Sequence, residues 1–464
     1  FKYFMNKDKK IFFSTRKPSG PYQFLVEATK AHSEKLINQK LTLSIHKNHR
    51  FDIISIFYLI KIIFKTHFFS KKKIMSVKHH GYNLGRYAVP EIYKNYNSYL
   101  NKSSFIVESI KCFYLNIKIL RNIIKLKKNN IRAAFIDHGM YRNGLIISVL
   151  AKKKIPIYTL GYPKGILYFI NKKKKFLDYE NLIQLKKIKK LNNTQIKQAK
   201  ASIIKVIHKT ETIPWMKTIK FVKPNNNFDE ITHVIYAHSF TDGQMLYGYD
   251  DFVNVYDWLE YSIDLLIKNK SNRVLVKAHP SFFHSKFPNK IMRYDIKLFH
   301  KIMTKYANNR CVHFIKKPIK NIDLLNQVDK KTILISHHGS AILEGLFLNF
   351  KCIASQATFW SSTFKLTNDW KNKISYKNLL TKDWLKLKHC NQKDLYSICY
   401  QLFCNPLGLY GKHYWQQTLS DELNITRKQI YQRSAYILDR ANLEKKDIQK
   451  LALKISKTIE LVKI

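Results

Sequence analysis

Acid is what this chain has least of for its size. Its 464 residues hold 31 Asp and Glu against 83 Lys and Arg, a formal net charge of +52. That charge would attract any polyanion at low salt, yet it identifies none, because lysine accompanies asparagine and isoleucine along the whole chain and glycine is scarce at 13 residues. The pattern is that of A/T-rich coding, and an anionic membrane surface or anionic substrates account for the charge as well as nucleic acid does. The six cysteines form no CxxC pair and no zinc spacing, which leaves reduced, structural thiols. No pair of acids of the DxD kind stands at a strand end, so no metal ion is expected. No repeat of solenoid period is visible. Long apolar runs are missing too: the most apolar early window, Ile53 to Phe69, is interrupted by Lys61 and Lys65 and reads as a buried or membrane-surface helix. No apolar leader with a small-residue cleavage site opens the chain, and a cytoplasmic location is the expectation.

The apolar residues that are present, 45% of the chain, suffice for globular folding, and the length calls for two domains or more. Strand-then-helix alternation first appears at Ile131–Ile136, followed by a helix from Leu145 to Lys152 and a strand at Ile155–Leu160 that ends in the breaker-rich Gly161-Tyr162-Pro163-Lys164-Gly165. This is a β-α-β unit of a parallel sheet. Lysine-rich helices follow from about residue 181 to 209, and Pro224-Asn225-Asn226-Asn227 breaks the pattern. Past it, strands are expected at Thr232–Ala237, Arg273–Lys277, Val312–Ile315, Thr332–Ser336 and Lys351–Ser355. Helices are expected between them at Phe252–Ile267, Tyr294–Tyr306 and Asn321–Gln327. The expected class is α/β, with Rossmann-like domains at 1–225 and 226–393 facing each other across a cleft and a helical extension at 394–464 packing on both.

Four strand exits carry chemistry. Ile335-Ser336-His337-His338-Gly339-Ser340 runs from an apolar strand into a helix start, with Glu344 one turn on. Backbone N–H groups there suit an anion and the carboxylate suits hydroxyl groups, while paired histidines at a strand end are costly to bury for packing alone. Val276-Lys277-Ala278-His279-Pro280 delivers a lysine and a histidine that can neutralise a diphosphate, and the histidine can also supply a proton. In Ala237-His238-Ser239-Phe240-Thr241-Asp242-Gly243-Gln244, hydroxyls, an amide and one carboxylate crowd a turn. In the first half, Asp137-His138-Gly139-Met140-Tyr141-Arg142-Asn143 sets a carboxylate beside a histidine, as a general base or nucleophile requires. Plain structural readings compete with each: a helix start, a strand edge, a polar turn. His79-His80-Gly81-Tyr82 and Trp360-Ser361-Ser362 read as structural.

In this order, a polar turn, Lys-x-His-Pro, then His-Gly-Ser-x-x-x-Glu before a helix, the motifs resemble those of the capsule polysaccharide biosynthesis group of GT-B glycosyltransferases, which includes Kdo transferases and is more distantly similar to bacterial sialyltransferases and polyglycerol-phosphate transferases. The likeness runs from Asp137 to Tyr376 and is clearest from Val234 to Ser355. It implies a GT-B-like fold and a metal-independent enzyme that moves a sugar from a nucleotide-sugar donor, a CMP sugar by preference, to a polysaccharide or lipid-linked acceptor in building the cell envelope. Lys277, His279, Ser340 and Glu344 would contact the nucleotide, within a donor site that also takes in Ser239, Gln244, Pro280, His337, His338 and Gly339. His138, Tyr141 and Asn143 would stand on the acceptor side. Asp137 is the expected base, Asp242 the alternative, and His279 the acid. No cofactor beyond the donor is implied, and no specific nucleic acid; an anionic inner-membrane surface is a further expected partner. The Asp/Glu-Asp/Glu-Gly motif of sialyltransferases is matched only in part by Asp137-His138-Gly139, and the acid that Kdo transferases carry after the later strand has no counterpart in Gly161–Gly165. A CDP-polyol phosphotransferase of the same fold is the alternative from sequence, and a basic nucleic-acid-binding protein the rival from another class.

Overall fold

A computed structural model of the chain describes residues 10–14, 52–126, 131–136, 141–155, 157–161, 166–170, 191–208, 219–224, 228–241, 249–283, 290–358, 360–361 and 364–404. These fall into two compact units, one drawn from Phe1–Glu91 and Phe105–Ile183, the other from Ile92–Ser104 and Gln184–Asn405.

The first unit holds a four-stranded sheet. Its strands are β1 (Lys10–Ser14), β2 (Ile131–Ile136), β3 (Ile157–Gly161) and β4 (Ile166–Ile170), in that spatial order. The expected β-α-β unit is present: β2 and β3 pair in parallel and are joined by helix α1 (Tyr141–Lys152). Two neighbours were not evident in the sequence, β1 in parallel on β2 and β4 antiparallel on β3. Among the earlier described helices of this unit are α2 (Ile53–Lys65) and α3 (Lys102–Ile124). Asp52 caps α2, its carboxylate accepting from the Ser55 N–H at 3.3 Å, and Arg121 on α3 clamps the same carboxylate with two bonds of 2.6 Å.

The second unit is built on six strands: β5 (His233–Tyr236), β6 (Val274–Lys277), β7 (Val312–Ile315), β8 (Ile333–Ser336), β9 (Lys351–Ser355) and β10 (Asn368–Trp370). Every pairing is parallel, and the spatial order is β10-β9-β8-β5-β6-β7. The chain starts at the centre, walks out through β6 and β7, then returns to the other side of β5 and walks out again. All four residues of β5, β6 and β8 are buried, as strands covered on both faces must be. Helix α4 (Asn193–Ile207) packs on α5 (Gln392–Cys399) and the turn at Tyr400–Cys404, with Ser202 Oγ 3.1 Å from Cys404 Sγ, so both flanks of the chain's second half belong to this unit. Between the strands run α6 (Val255–Leu266), α7 (Lys290–Lys305), α8 (Asn321–Leu325) and α9 (Ala341–Phe347). Asn254 caps α6 through the Asp257 N–H at 2.7 Å, and the helix buries Val255, Trp258, Leu259, Ile263 and Leu266 against the sheet. Gly345 on α9 allows the closest approach, since a Cβ there would lie 2.2 Å from Leu334 Cδ1 on β8.

The strands and helices expected past residue 226 are all found within a few residues of their expected ends; the strand β10 and a helix at Lys373–Thr381 were not expected. The Asn and Asp of β10 weigh against a strand more than its Trp favours one, and what holds the strand is its pairing with β9. All six cysteines are unpaired. Among the described residues no helix is long and apolar enough to cross a membrane. The helical tail expected beyond residue 404 lies outside the described residues.

Candidate functional site at the carboxyl edge of the second sheet

In a sheet of this order, the first strand and the fourth, β5 and β8, are neighbours whose connections leave in opposite directions. Nothing crosses the sheet end between them, and ligands of open parallel sheets bind in that crevice. The residues that follow β5 and β8 stand at that crevice. They are His238 and His337-His338, with Lys277 and His279 at the end of β6 alongside.

These side chains meet. The rings of His238 and His338 lie 4.1 Å apart between centroids, His238 and His279 5.5 Å, and His337 and His338 4.9 Å. His337 and His338 are buried, and their Nδ1 atoms are 2.7 Å apart. The other ring nitrogen of His337, Nε2, lies 3.1 Å from Oδ2 of buried Asp250. Trp370 Nε1 donates to the same oxygen at 3.0 Å, and the Ser355 hydroxyl donates to it as well. Burial pushes the Asp250 carboxyl up, but the His337 ring and these hydrogen bonds outweigh it and hold the group below the ordinary carboxylate range. Trp258 and Trp370 stand edge-on to the His337 ring, at 5.5 and 5.9 Å, so little freedom is left to it.

The direction of the hydrogen bonds follows. A carboxylate only accepts, so His337 donates Nε2–H to Asp250 and, when neutral, offers Nδ1 as an acceptor. His338 then donates Nδ1–H to it, which leaves His338 Nε2 as a lone-pair nitrogen. A proton gained at Nε2 can be matched by transfer of Nδ1–H to His337, whose positive charge then faces Asp250. Asp250, His337 and His338 thus form a hydrogen-bonded relay that ends at His338 Nε2.

Burial, reinforced by the neighbouring His238 and Lys277, pushes His279 down to about 3; His338 is likewise held well below the ordinary histidine range by burial and by His238, His337 and His279. Both rings are neutral at pH 7. The charge that the sequence divides between Lys277 and His279 therefore rests on Lys277 until an anion arrives and raises the proton affinity of the histidines beside it. Pro280 opens a short 3-10 turn that closes on His279, whose carbonyl accepts from the Phe282 N–H at 2.9 Å.

The exit of β5 is held by a residue without a place among the sequence motifs. Asp295, buried on α7, accepts from Ser239 Oγ at 2.6 Å, Phe240 N at 3.0 Å, Thr241 N at 2.9 Å and Thr241 Oγ1 at 2.8 Å. Burial raises this carboxyl to about 6, against the opposing pull of those bonds. The Ser239 hydroxyl thus donates inward. Gly339 lies where a Cβ would be 2.8 Å from Ser336 Oγ, and its N–H donates to that oxygen at 3.0 Å. Ser340 is exposed at the start of α9 and makes no capping bond, while Glu344 is buried one turn on, close enough to raise the Tyr236 phenol in addition to burial.

Of the remaining expected residues, Asp137, His138, Asp242 and Gln244 lie outside the described residues. Tyr141 and Asn143 are buried at the start of α1, with Tyr141 at a φ of 55°. Between them Arg142 donates its Nε to both Glu91 oxygens at 2.8 and 2.9 Å. Asp250 and Asp295 were missed by the sequence reading, yet each had a signal: Asp295 is the one acid in a helix of basic and apolar residues, and Asp250 belongs to an Asp-Asp pair in a chain short of acids. Trp360, with its indole donating to Thr367 Oγ1 at 3.3 Å, is a buried structural residue. Among the described residues no group of three His, Cys, Asp or Glu is arranged to hold a metal ion.

No protein-family model matches the chain, and no curated protein matches it. Among solved structures it is similar to Thermosulfurimonas dismutans KpsC, beta Kdo 2,4 transferase, at 14% identity over 58% of this chain and 79% of that chain, with a TM-score of 0.35. It is also similar to Anabaena Alr3699/HepE, in complex with UDP and glucose and in complex with UDP-glucose, in both cases at 10% identity over 93% of this chain and 99% of that one, with a TM-score of 0.26.

Proposed function

We propose that the chain is a GT-B-type glycosyltransferase that moves a sugar from a nucleotide-activated donor, a CMP sugar by the resemblance of its motifs, to a polysaccharide or lipid-linked acceptor of the cell envelope. The observation that carries this reading is the convergence of three separate motifs, through His238, Lys277 with His279, and His337 with His338, on adjacent strand ends at the switch point of a six-stranded parallel sheet. A structural role alone would not call for four histidines, a lysine and a buried carboxylate in one place, since each buried polar group costs free energy unless it is paired.

In this reading Lys277 takes the phosphate charge of the donor, and the neutral histidines around it offer N–H groups without repelling a second cation. As the sugar bond to the phosphate breaks, negative charge grows on the leaving nucleotide, and His279 gains proton affinity in step with it. Glu344 is the carboxylate that would meet ribose hydroxyls. His338, backed by His337 and Asp250 and raised in proton affinity by the donor phosphates beside it, is suited to take up the proton that the acceptor hydroxyl must lose, or to return one to the leaving group. Charge neutralisation by Lys277 and the N–H groups needs no metal ion.

The test is to incubate the full chain with CMP-, CDP-, UDP- and GDP-activated donors and follow nucleotide release with and without polysaccharide acceptors. Release from one donor class, lost in Lys277→Ala and His338→Ala, is the expected result. Transfer of a polyol phosphate from a CDP donor would replace sugar transfer with phosphotransfer at the same site. If no donor is turned over or bound, or if both variants behave as wild type, the reading fails.

A further inference from the structure

We propose that helix α2 and the turn after it form a docking surface for an anionic lipid bilayer, an assignment independent of what the second unit transfers. The helix is apolar on two sides. Ser55, Leu59 and Ile62 point inward and are buried. Ile53, Phe57, Ile60 and Phe64, spaced at i, i+4, i+7 and i+11, lie on a single outward stripe, and they are 75, 54, 44 and 70% exposed. One stripe is enough to hold the helix on its unit, so folding does not explain the other. Contiguous exposed apolar side chains of this size mark an interaction surface.

The turn that follows extends the stripe. His67, Phe68 and Phe69 all adopt left-handed backbone, with φ of 50, 54 and 62°, a conformation that bulky residues avoid. Thr66 holds it, its hydroxyl donating to the Ile62 carbonyl at 2.8 Å and accepting from the Phe69 N–H at 3.1 Å. The result is a division of the two phenylalanines: Phe69 packs on Phe113 at 5.3 Å, and Phe68 is turned outward, 63% exposed.

The charges around this surface decide its partner. Lys61, Lys65, Lys71, Lys72 and Lys73 are all exposed, and no Asp or Glu occurs between Asp52 and Glu91. Asp52 itself is neutralised by Arg121. A second copy of the chain would bring these lysines against their own kind, which disfavours self-association through this face. An anionic bilayer answers both features, because the apolar side chains enter the acyl region while the ammonium groups reach lipid phosphates. At 13 residues the helix is too short to span and would lie in the interface.

Charge alone would draw a chain of +52 to anionic vesicles, so the test must isolate the apolar stripe. The full chain, wild type and Phe57→Ser/Phe64→Ser, is sedimented with vesicles of phosphatidylcholine and phosphatidylglycerol, or of phosphatidylcholine alone, at physiological salt. Wild type is expected to bind the mixed vesicles, and the double variant to bind at least about tenfold more weakly with an unchanged thermal midpoint, as fits the loss of two inserted aromatic rings. In Phe64→Trp, vesicles are expected to shift indole emission to the blue and brominated acyl chains to quench it. The proposal is overturned if the double variant binds as wild type does, or if Phe64→Trp emission ignores the vesicles. It is equally overturned if the double variant differs from wild type only in oligomeric state, which would make the stripe a contact between copies.

Discussion

The tripeptide His-His-Gly occurs twice in this chain, at 79–81 in the first unit and at 337–339 in the second, and the two copies share little beyond their letters. The first forms the bend of a two-residue hairpin, where Lys78–His79 pairs antiparallel with Tyr82–Asn83 and His80 and Gly81 take φ of 48 and 75°. Both central residues are left-handed, as the twist of a tight hairpin demands. There His79 rests 4.3 Å from the Tyr58 ring, pushed down to about 4 by burial, with His80 and Arg121 adding to it. The second copy leaves a strand in the middle of a parallel sheet, and Asp250 faces its first ring. Glycine serves backbone conformation at Gly81 and space at Gly339. A histidine pair therefore acquires chemistry from the strand that delivers it and the carboxylate that meets it.

Substitutions should separate the two copies sharply. The largest effect is expected from His338→Ala, which removes the outer end of the relay and should slow transfer by roughly 10²–10⁴-fold in a nucleotide-release assay. The matched change in the hairpin, His79→Ala/His80→Ala, should leave the rate within about twofold, because a structural loop residue takes no part in proton transfer. Next is Asp250→Asn, a positioning change that keeps both rings. It should cost about one to two orders of magnitude in rate and displace the pH–rate profile, which a purely structural role would leave in place.

Acid should distinguish the second unit through its stability. His233, lowered to about 4 by burial, joins His279 and His338 as groups that the fold keeps neutral. Their contribution is fully present above the unfolded value of about 6.5 and is lost as pH falls from there toward 4, where the unfolded chain binds protons that the fold excludes. Asp295 and Asp369, both raised to about 6 by burial, act in the opposite sense between 6 and their ordinary value and offset part of the loss. Three deep histidine shifts outweigh two carboxyl ones, so the thermal midpoint should fall between pH 7 and pH 5, and replacing His233 with Gln should flatten that slope.

The smallest effects concern the two glycines. Gly81→Ala should destabilise by about 1–2 kcal/mol from left-handed strain, without touching nucleotide affinity. Gly339→Ala should displace Ser336 Oγ and lose its bond, at about 1 kcal/mol, and should weaken nucleotide binding as well. In a double-mutant cycle Ser336→Ala should relieve part of the Gly339→Ala penalty, because the two changes share one contact.

Much of the second unit could be read from its residues. Strands β5 to β9 are short apolar runs bounded by polar exits, and α6 repeats its apolar residues at helical spacing. Those patterns arise because a parallel sheet buries both faces and a covering helix buries one. The histidine exits were legible for the same reason, since polar rings at strand ends stand out against the runs before them. What stayed hidden depends on side chains far apart in sequence. Asp250 meets His337 across 87 positions and Asp295 meets Ser239 across 56, and no spacing rule connects such partners. For α2 the sequence left two readings open, a buried helix or a membrane-surface one. Periodicity reveals that a helix is apolar on a given side, but α6 covers such a side with a sheet while α2 leaves one to its surroundings.

The central claim, that the carboxyl edge of the second sheet is a nucleotide site, is most directly tested by calorimetric titration of CMP, CDP, UDP and GDP into the wild-type chain, Lys277→Ala/His338→Ala and His79→Ala/His80→Ala. One nucleotide class should bind the wild type and the hairpin variant alike and fail to bind the double variant at the sheet edge. Equal binding to all three proteins, or loss in the hairpin variant alone, would contradict it.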